Sequence, residues 1–131
     1  MLDPTPQLYE RLGGYDGIAA IVDDLLPRLL DDQRLGLYWK GKSTDSLKKD
    51  RQLFVDFLSA SFGGPVVYLG RDMKTSHAGL GITDAEWTRF IEHVTATLHN
   101  LGVAKREADE VIGAAERLKP DVVRPSPMTP A

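Results

Sequence analysis

Apolar residues return at three- and four-residue steps through four long stretches of this chain, and none of them shows the strict alternation of a strand. A helix turns about 100° per residue, so this spacing gathers each set onto one face. The expected fold class is therefore all-α. From Asp16 to Leu30 the set is Ile18, Ile21, Val22, Leu25, Leu26 and Leu29, and Pro27 is expected to kink that helix or end it early, at ~3 kcal/mol if nothing compensates. In the second stretch Leu47, Phe54, Phe57, Leu58, Ser61 and Phe62 share a broad face that Gly63-Gly64-Pro65 closes. The third opens with Thr83-Asp84-Ala85-Glu86, a capping-box spacing, and carries Trp87, Phe90, Ile91, Val94, Leu98 and Leu101 before Gly102. The fourth, about Lys105 to Leu118, carries Ala108, Val111, Ile112, Ala115 and Leu118.

Shorter pieces join these helices. Leu8 to Leu12 reads as one amphipathic turn stopped by Gly13-Gly14, and Leu35, Leu37, Tyr38 and Trp39 form an apolar cluster before a polar loop, Lys40 to Asp45. With prolines at 4 and 6, residues 1–7 are an N-terminal extension; residues 8–119 form one domain; Pro120, Pro125, Pro127 and Pro130 mark 120–131 as a disordered tail.

A chain of 131 residues with 42% hydrophobic content suits one core, which buries roughly two-thirds of the surface its unfolded chain exposes. Without cysteine there is no disulfide, thiolate zinc site, iron–sulfur cluster or c-type haem attachment, so His, Asp, Glu, Tyr and Met remain as metal ligands. A mixed net charge of −3 argues against a nucleic-acid or anionic-membrane partner. No run approaches the ~20 apolar residues of a membrane span, and no basic stretch leads into an apolar one at the N-terminus, so the expected location is the cytoplasm.

Among the three histidines, His93 and His99 lie off the Trp87/Ile91/Val94/Leu98 stripe, at its flank or in solvent, and are poor ligand candidates. His77 sits in a short segment, Met73 to Leu80, between glycine-bearing loops and beside apolar neighbours. Position alone favours a histidine at a helix C-terminus interacting with the helix dipole.

Three blocks change that balance: Leu8-Tyr9-Glu10-Arg11-Leu12-Gly13-Gly14, Phe62-Gly63-Gly64-Pro65, and Met73-Lys74-Thr75-Ser76-His77-Ala78-Gly79-Leu80-Gly81-Ile82-Thr83. In order and spacing, and in register with the helical stripes, they resemble the group I truncated haemoglobins over roughly Gln7 to Leu118. The resemblance implies a two-over-two globin sandwich holding one haem b, with His77 as the proximal ligand to iron. It places Tyr68 and Arg71 at the haem propionates, where a guanidinium pairs well with a carboxylate, although an exposed loop cation is an equal alternative for Arg71. Met73, Ile82, Phe90 and Val94 become proximal and lower walls.

On the distal side the chain departs from the family. Leu26 and Phe54 stand where relatives place a tyrosine and a glutamine. Asp50 falls at another distal polar position, but an ionised carboxylate accepts hydrogen bonds and donates none. Tyr38 and Trp39 align with an aromatic pair, one of which packs on haem in relatives. The resemblance implies reversible binding of oxygen, carbon monoxide or nitric oxide. The alternatives are nitric oxide dioxygenation or weak peroxidase activity with a reductase partner, and a globin-fold interaction module without haem.

Overall fold

The computed structural model describes residues 6–77 and 79–123, and every regular element among them is helical. In chain order these are α1 (Leu8–Arg11), α2 (Gly14–Asp31), a 3-10 turn (Leu35–Trp39), α3 (Thr44–Ser61), α4 (Met73–His77), α5 (Asp84–Asn100) and α6 (Lys105–Val122). α2 packs against both α3 and α5, and α6 against α5 and α4, which gives the two-over-two arrangement of helix pairs. The core lies where the pairs meet: Ile18, Val22, Leu25 and Leu29 from α2, Val55 from α3, Val94 and Leu98 from α5 and Val111 from α6, with Phe62 just beyond α3. Burying each such side chain contributes roughly 1.5–3 kcal/mol.

The capping box forms as the spacing predicts: Thr83 Oγ1 accepts the Glu86 N–H at 3.1 Å and the Glu86 carboxylate accepts the Thr83 N–H at 3.0 Å. Neither of two prolines ends its helix. Pro27 lies inside α2, which runs unbroken to Asp31. The missing N–H removes one hydrogen bond, whereas Leu25 and Leu29, both 2% exposed, anchor the backbone on either side of it. Likewise α6 does not stop at Leu118 but continues through Pro120 to Val122, so the boundary expected at 120 falls too early. Lys119 reaches Asp84 of α5 at 3.2 Å and ties down that last turn. The rest of the expected tail, 124–131, lies outside the described residues, as do 1–5 of the extension. Among the described residues no helix is long and apolar enough to cross a membrane.

The join between α1 and α2 depends on small residues. Gly13 adopts φ 101°, a left-handed conformation that side chains disfavour. Four residues on, a Cβ at Gly17 would lie 1.9 Å from the Leu12 carbonyl oxygen. Gly17→Ala is expected to destabilise the fold by about 1–3 kcal/mol, seen as a lower thermal midpoint; an unchanged midpoint would show that the α1–α2 join yields freely.

Candidate functional site

His77 closes α4. Its Nδ1 lies 2.8 Å from the Met73 carbonyl, which can only accept, so Nδ1 carries the proton and the Nε2 lone pair is left for a ligand. Ser76 Oγ lies 3.1 Å from the same nitrogen. The helix starts after Asp72, whose carboxylate accepts the Thr75 N–H at 3.1 Å; the Thr75 hydroxyl first, and then that bond, hold its pKa below the usual carboxylate range. His77, Met73 and Ile82 are half-buried, and α4 has no fully buried residue.

Just upstream, the Tyr68 hydroxyl donates to the Arg71 carbonyl at 2.6 Å, and its ring meets Phe57 edge-on at 5.2 Å. Burial, reinforced by the Asp72 charge, raises the Tyr68 pKa. Arg71 is exposed, and its guanidinium has no ion-pair partner among the described residues. On α5 Val94 is buried, whereas Phe90 is half-buried beside Trp87 at 5.3 Å.

On the other side, Leu26 and Phe54 are half-buried and offer no polar atom. Asp50 pairs with Lys42 at 2.5 Å, which ties its carboxylate to the preceding loop. The Tyr38 hydroxyl donates to Glu86 Oε1 at 2.7 Å. Burial and the Glu86 carboxylate together push that phenol up to about 12. Trp39 is half-buried against the core, and its indole N–H has no hydrogen-bond partner among the described residues. α3 packs mainly on α2, and α4 mainly on α6. Phe54 and Leu58 of α3, Tyr38 and Trp39 of the turn, Met73 of α4 and Phe90 of α5 therefore all keep part of their apolar surface uncovered.

Around this region the structure adds polar ties that spacing along the chain does not reveal. The Asp32 side chain is only 4% exposed and accepts the N–H groups of Arg34 at 2.8 Å and Leu35 at 3.0 Å. It also accepts from Arg89 Nε at 3.0 Å and His93 Nε2 at 2.7 Å. Burial alone would raise the Asp32 pKa, but the bonds from His93, the two backbone amides and Arg89 together hold it well below the carboxylate range. The i, i+4 spacing of Arg89 and His93 signals a shared face of α5; nothing in the sequence points that face at Asp32. Similarly, Asp24 of α2 accepts from Thr97 at 2.8 Å and Asn100 at 2.6 Å, and Trp87 Nε1 donates to Glu116 at 3.0 Å.

A carboxylate whose folded pKa is depressed stabilises the fold above its unfolded pKa and loses that contribution as pH falls through the folded value. The fold should thus weaken progressively on acidification below about pH 5. Asp32→Asn is expected to cost about 1.5–3 kcal/mol near neutrality and to flatten that acid dependence. Denaturant titrations at the two pH extremes measure both; an unchanged acid limb in the variant would remove Asp32 as its source.

Comparison with known proteins agrees with the all-helical fold. The model of the bacterial-like globin family matches residues 7–124. The group 1 truncated hemoglobin GlbN of Mycolicibacterium paratuberculosis is 31% identical over 115 residues, covering 88% of this chain and 82% of the relative. The group 1 truncated hemoglobin of Tetrahymena thermophila is 32% identical over 113 residues, covering 86% and 88%. The crystal structure of the Tetrahymena pyriformis truncated hemoglobin in its Fe(III) form superposes with a TM-score of 0.83 at 28% identity, covering 92% of this chain and 100% of that one. A family match across nearly the whole chain, on a fold that superposes at a TM-score of 0.83, makes this protein a bacterial-like globin of the group 1 truncated haemoglobin family.

Proposed function

We propose that this globin holds one haem b through His77 and binds oxygen, carbon monoxide or nitric oxide reversibly. The observation that carries the proposal is the 2.8 Å bond from His77 Nδ1 to the Met73 carbonyl, which fixes the tautomer an iron ligand requires and orients the ring. Among the described residues no three His, Asp or Glu side chains gather as a metal site. A lone imidazole beside uncovered apolar surface suits an iron whose other ligands come from a flat macrocycle. When bound, the haem supplies an iron with an open position for a diatomic gas.

The chain's own residues then divide the work. His77 donates the Nε2 lone pair. Arg71, with Tyr68 bracing its backbone, offers an unpaired guanidinium to the propionates at the rim. Met73, Ile82, Phe90 and Val94 exclude water on one side, and Leu26 and Phe54 face the gas on the other with no hydrogen-bond donor. Asp50, engaged by Lys42, has acceptors only and offers the gas no hydrogen-bond donor. An absorption spectrum tests the proposal: a Soret band that moves on reduction and on adding carbon monoxide is the expected result. No such band after haem reconstitution would favour a globin-fold interaction module instead.

A further inference from the structure

Of the side chains that keep apolar surface uncovered around the proposed site, Tyr38 and Trp39 alone carry a hydrogen-bond donor. A phenol donates once, and Tyr38 gives its proton to Glu86 Oε1 at 2.7 Å. The same oxygen accepts the Thr83 N–H at 3.0 Å, so the atom that closes the cap of α5 also fixes the phenol, while Oε2 faces Arg34 Nε at 3.8 Å. Glu86 is 8% exposed. Burial would raise its pKa, but the Thr83 amide, the Tyr38 hydroxyl and the Arg34 charge together hold it below the ordinary value. An ionised carboxylate only accepts, which keeps Tyr38 the donor. The backbone of the 3-10 turn has a separate anchor: Asp32 accepts the Arg34 and Leu35 N–H groups and is held by Arg89 and His93, one and two turns beyond Glu86 on α5. Asp32 therefore fixes where the turn lies, and Glu86 fixes where the Tyr38 hydroxyl points.

We propose that Glu86 is a positioning residue that sets the oxygen preference of this globin, by holding the Tyr38 hydroxyl as its own donor and so withholding it from the gas. The inference rests on the haem proposed at His77. With the carboxylate removed, the turn stays on its Asp32 anchor and the phenol is free to rotate and donate to the partial negative charge on oxygen. Carbon monoxide, nearly neutral, gains little from the same donor.

Stopped-flow traces on the full-length, haem-loaded protein test this. Glu86→Ala is expected to slow oxygen release at least about tenfold and carbon monoxide release less than about twofold. Adding Tyr38→Phe to that variant should abolish the slowing. Glu86→Gln, whose amide oxygen can accept both bonds of Oε1, is expected to rescue fast release. Thr83→Ala breaks the other half of the cap and keeps the Tyr38 bond, so it should change oxygen release less than about twofold. Should Glu86→Ala fail to fold by circular dichroism, Glu86→Leu repeats the test with the volume filled and the acceptor absent. Unslowed release in the variant without the carboxylate, slowing that persists without the Tyr38 hydroxyl, or equal slowing in Thr83→Ala overturns the assignment. Alkaline titration of phenolate absorbance, read against Tyr38→Phe, checks the bond itself: Tyr38 should ionise at about 12 in the wild type and nearer ~10 in Glu86→Ala. Ionisation near ~10 in the wild type also overturns it. A missing Soret band refutes the haem proposal separately, because the phenol titration reads the bond with or without haem.

Discussion

Replacing His77 with glycine is expected to lower haem affinity by more than about a hundredfold, since even the partners that merely orient a metal-binding histidine are worth 10–100-fold. The ferrous spectrum should be lost with it, and added imidazole should restore part of the spectrum by occupying the vacated ligand position. The other two histidines serve as controls of different kinds. His99 is exposed, so His99→Ala should leave both haem content and stability unchanged. His93→Ala removes a 2.7 Å bond from buried Asp32 and should lower the thermal midpoint without altering the spectrum. Equal loss of haem from all three variants would remove His77 from its assigned role.

The second large effect concerns gas preference. A hydrogen-bond donor facing the gas favours oxygen, which accumulates negative charge on its outer atom, over carbon monoxide, which stays nearly neutral. Leu26 and Phe54 supply none, and the Tyr38 hydroxyl already donates to Glu86. The protein is therefore expected to release oxygen quickly, to prefer carbon monoxide strongly and to autoxidise readily. A charge-assisted hydrogen bond of ~1.5–3 kcal/mol corresponds to a factor of roughly ten to a hundred and fifty. Leu26→Tyr should accordingly slow oxygen release at least about tenfold while changing carbon monoxide release much less, as stopped-flow traces would show. Slow release in the wild type would point to the indole N–H of Trp39, and Trp39→Phe would then speed it.

Local chemistry was legible in the sequence, and distant pairing was not. Thr83 and Glu86 sit three residues apart, and the cap they form involves only backbone nearby, so spacing sufficed. Gly63-Gly64-Pro65 ends α3 for equally local reasons. Pro27 does not end α2 early, and the buried Leu25 and Leu29 on either side of it, which hold the helix in place, are not apparent from the proline itself. The ties of Asp32 to His93, Tyr38 to Glu86 and Asp24 to Thr97 join residues 48 to 73 positions apart, and no spacing along the chain pairs them until the helices are docked. For the site, the segment carrying His77 was visible through its motif, whereas the commitment of Asp50 to Lys42 and of Tyr38 to Glu86 required the folded chain.

The polar ties just described converge on one helix. α5 is cross-linked to α2 through Asp24 and, just past its end, Asp32, to the 3-10 turn through Glu86 and to α6 through Trp87, while α4 has no buried residue and packs chiefly on α6. Opening free energies should differ accordingly. Backbone amides in the middle of α5 should exchange with deuterium only when the whole molecule unfolds, and those of α4 through small local openings. The histidine proposed to hold the cofactor would thus stand on a part of the molecule that opens readily. Haem could then enter or leave by displacing five residues, with the four long helices still in place, and its arrival should slow exchange in α4 far more than in α5.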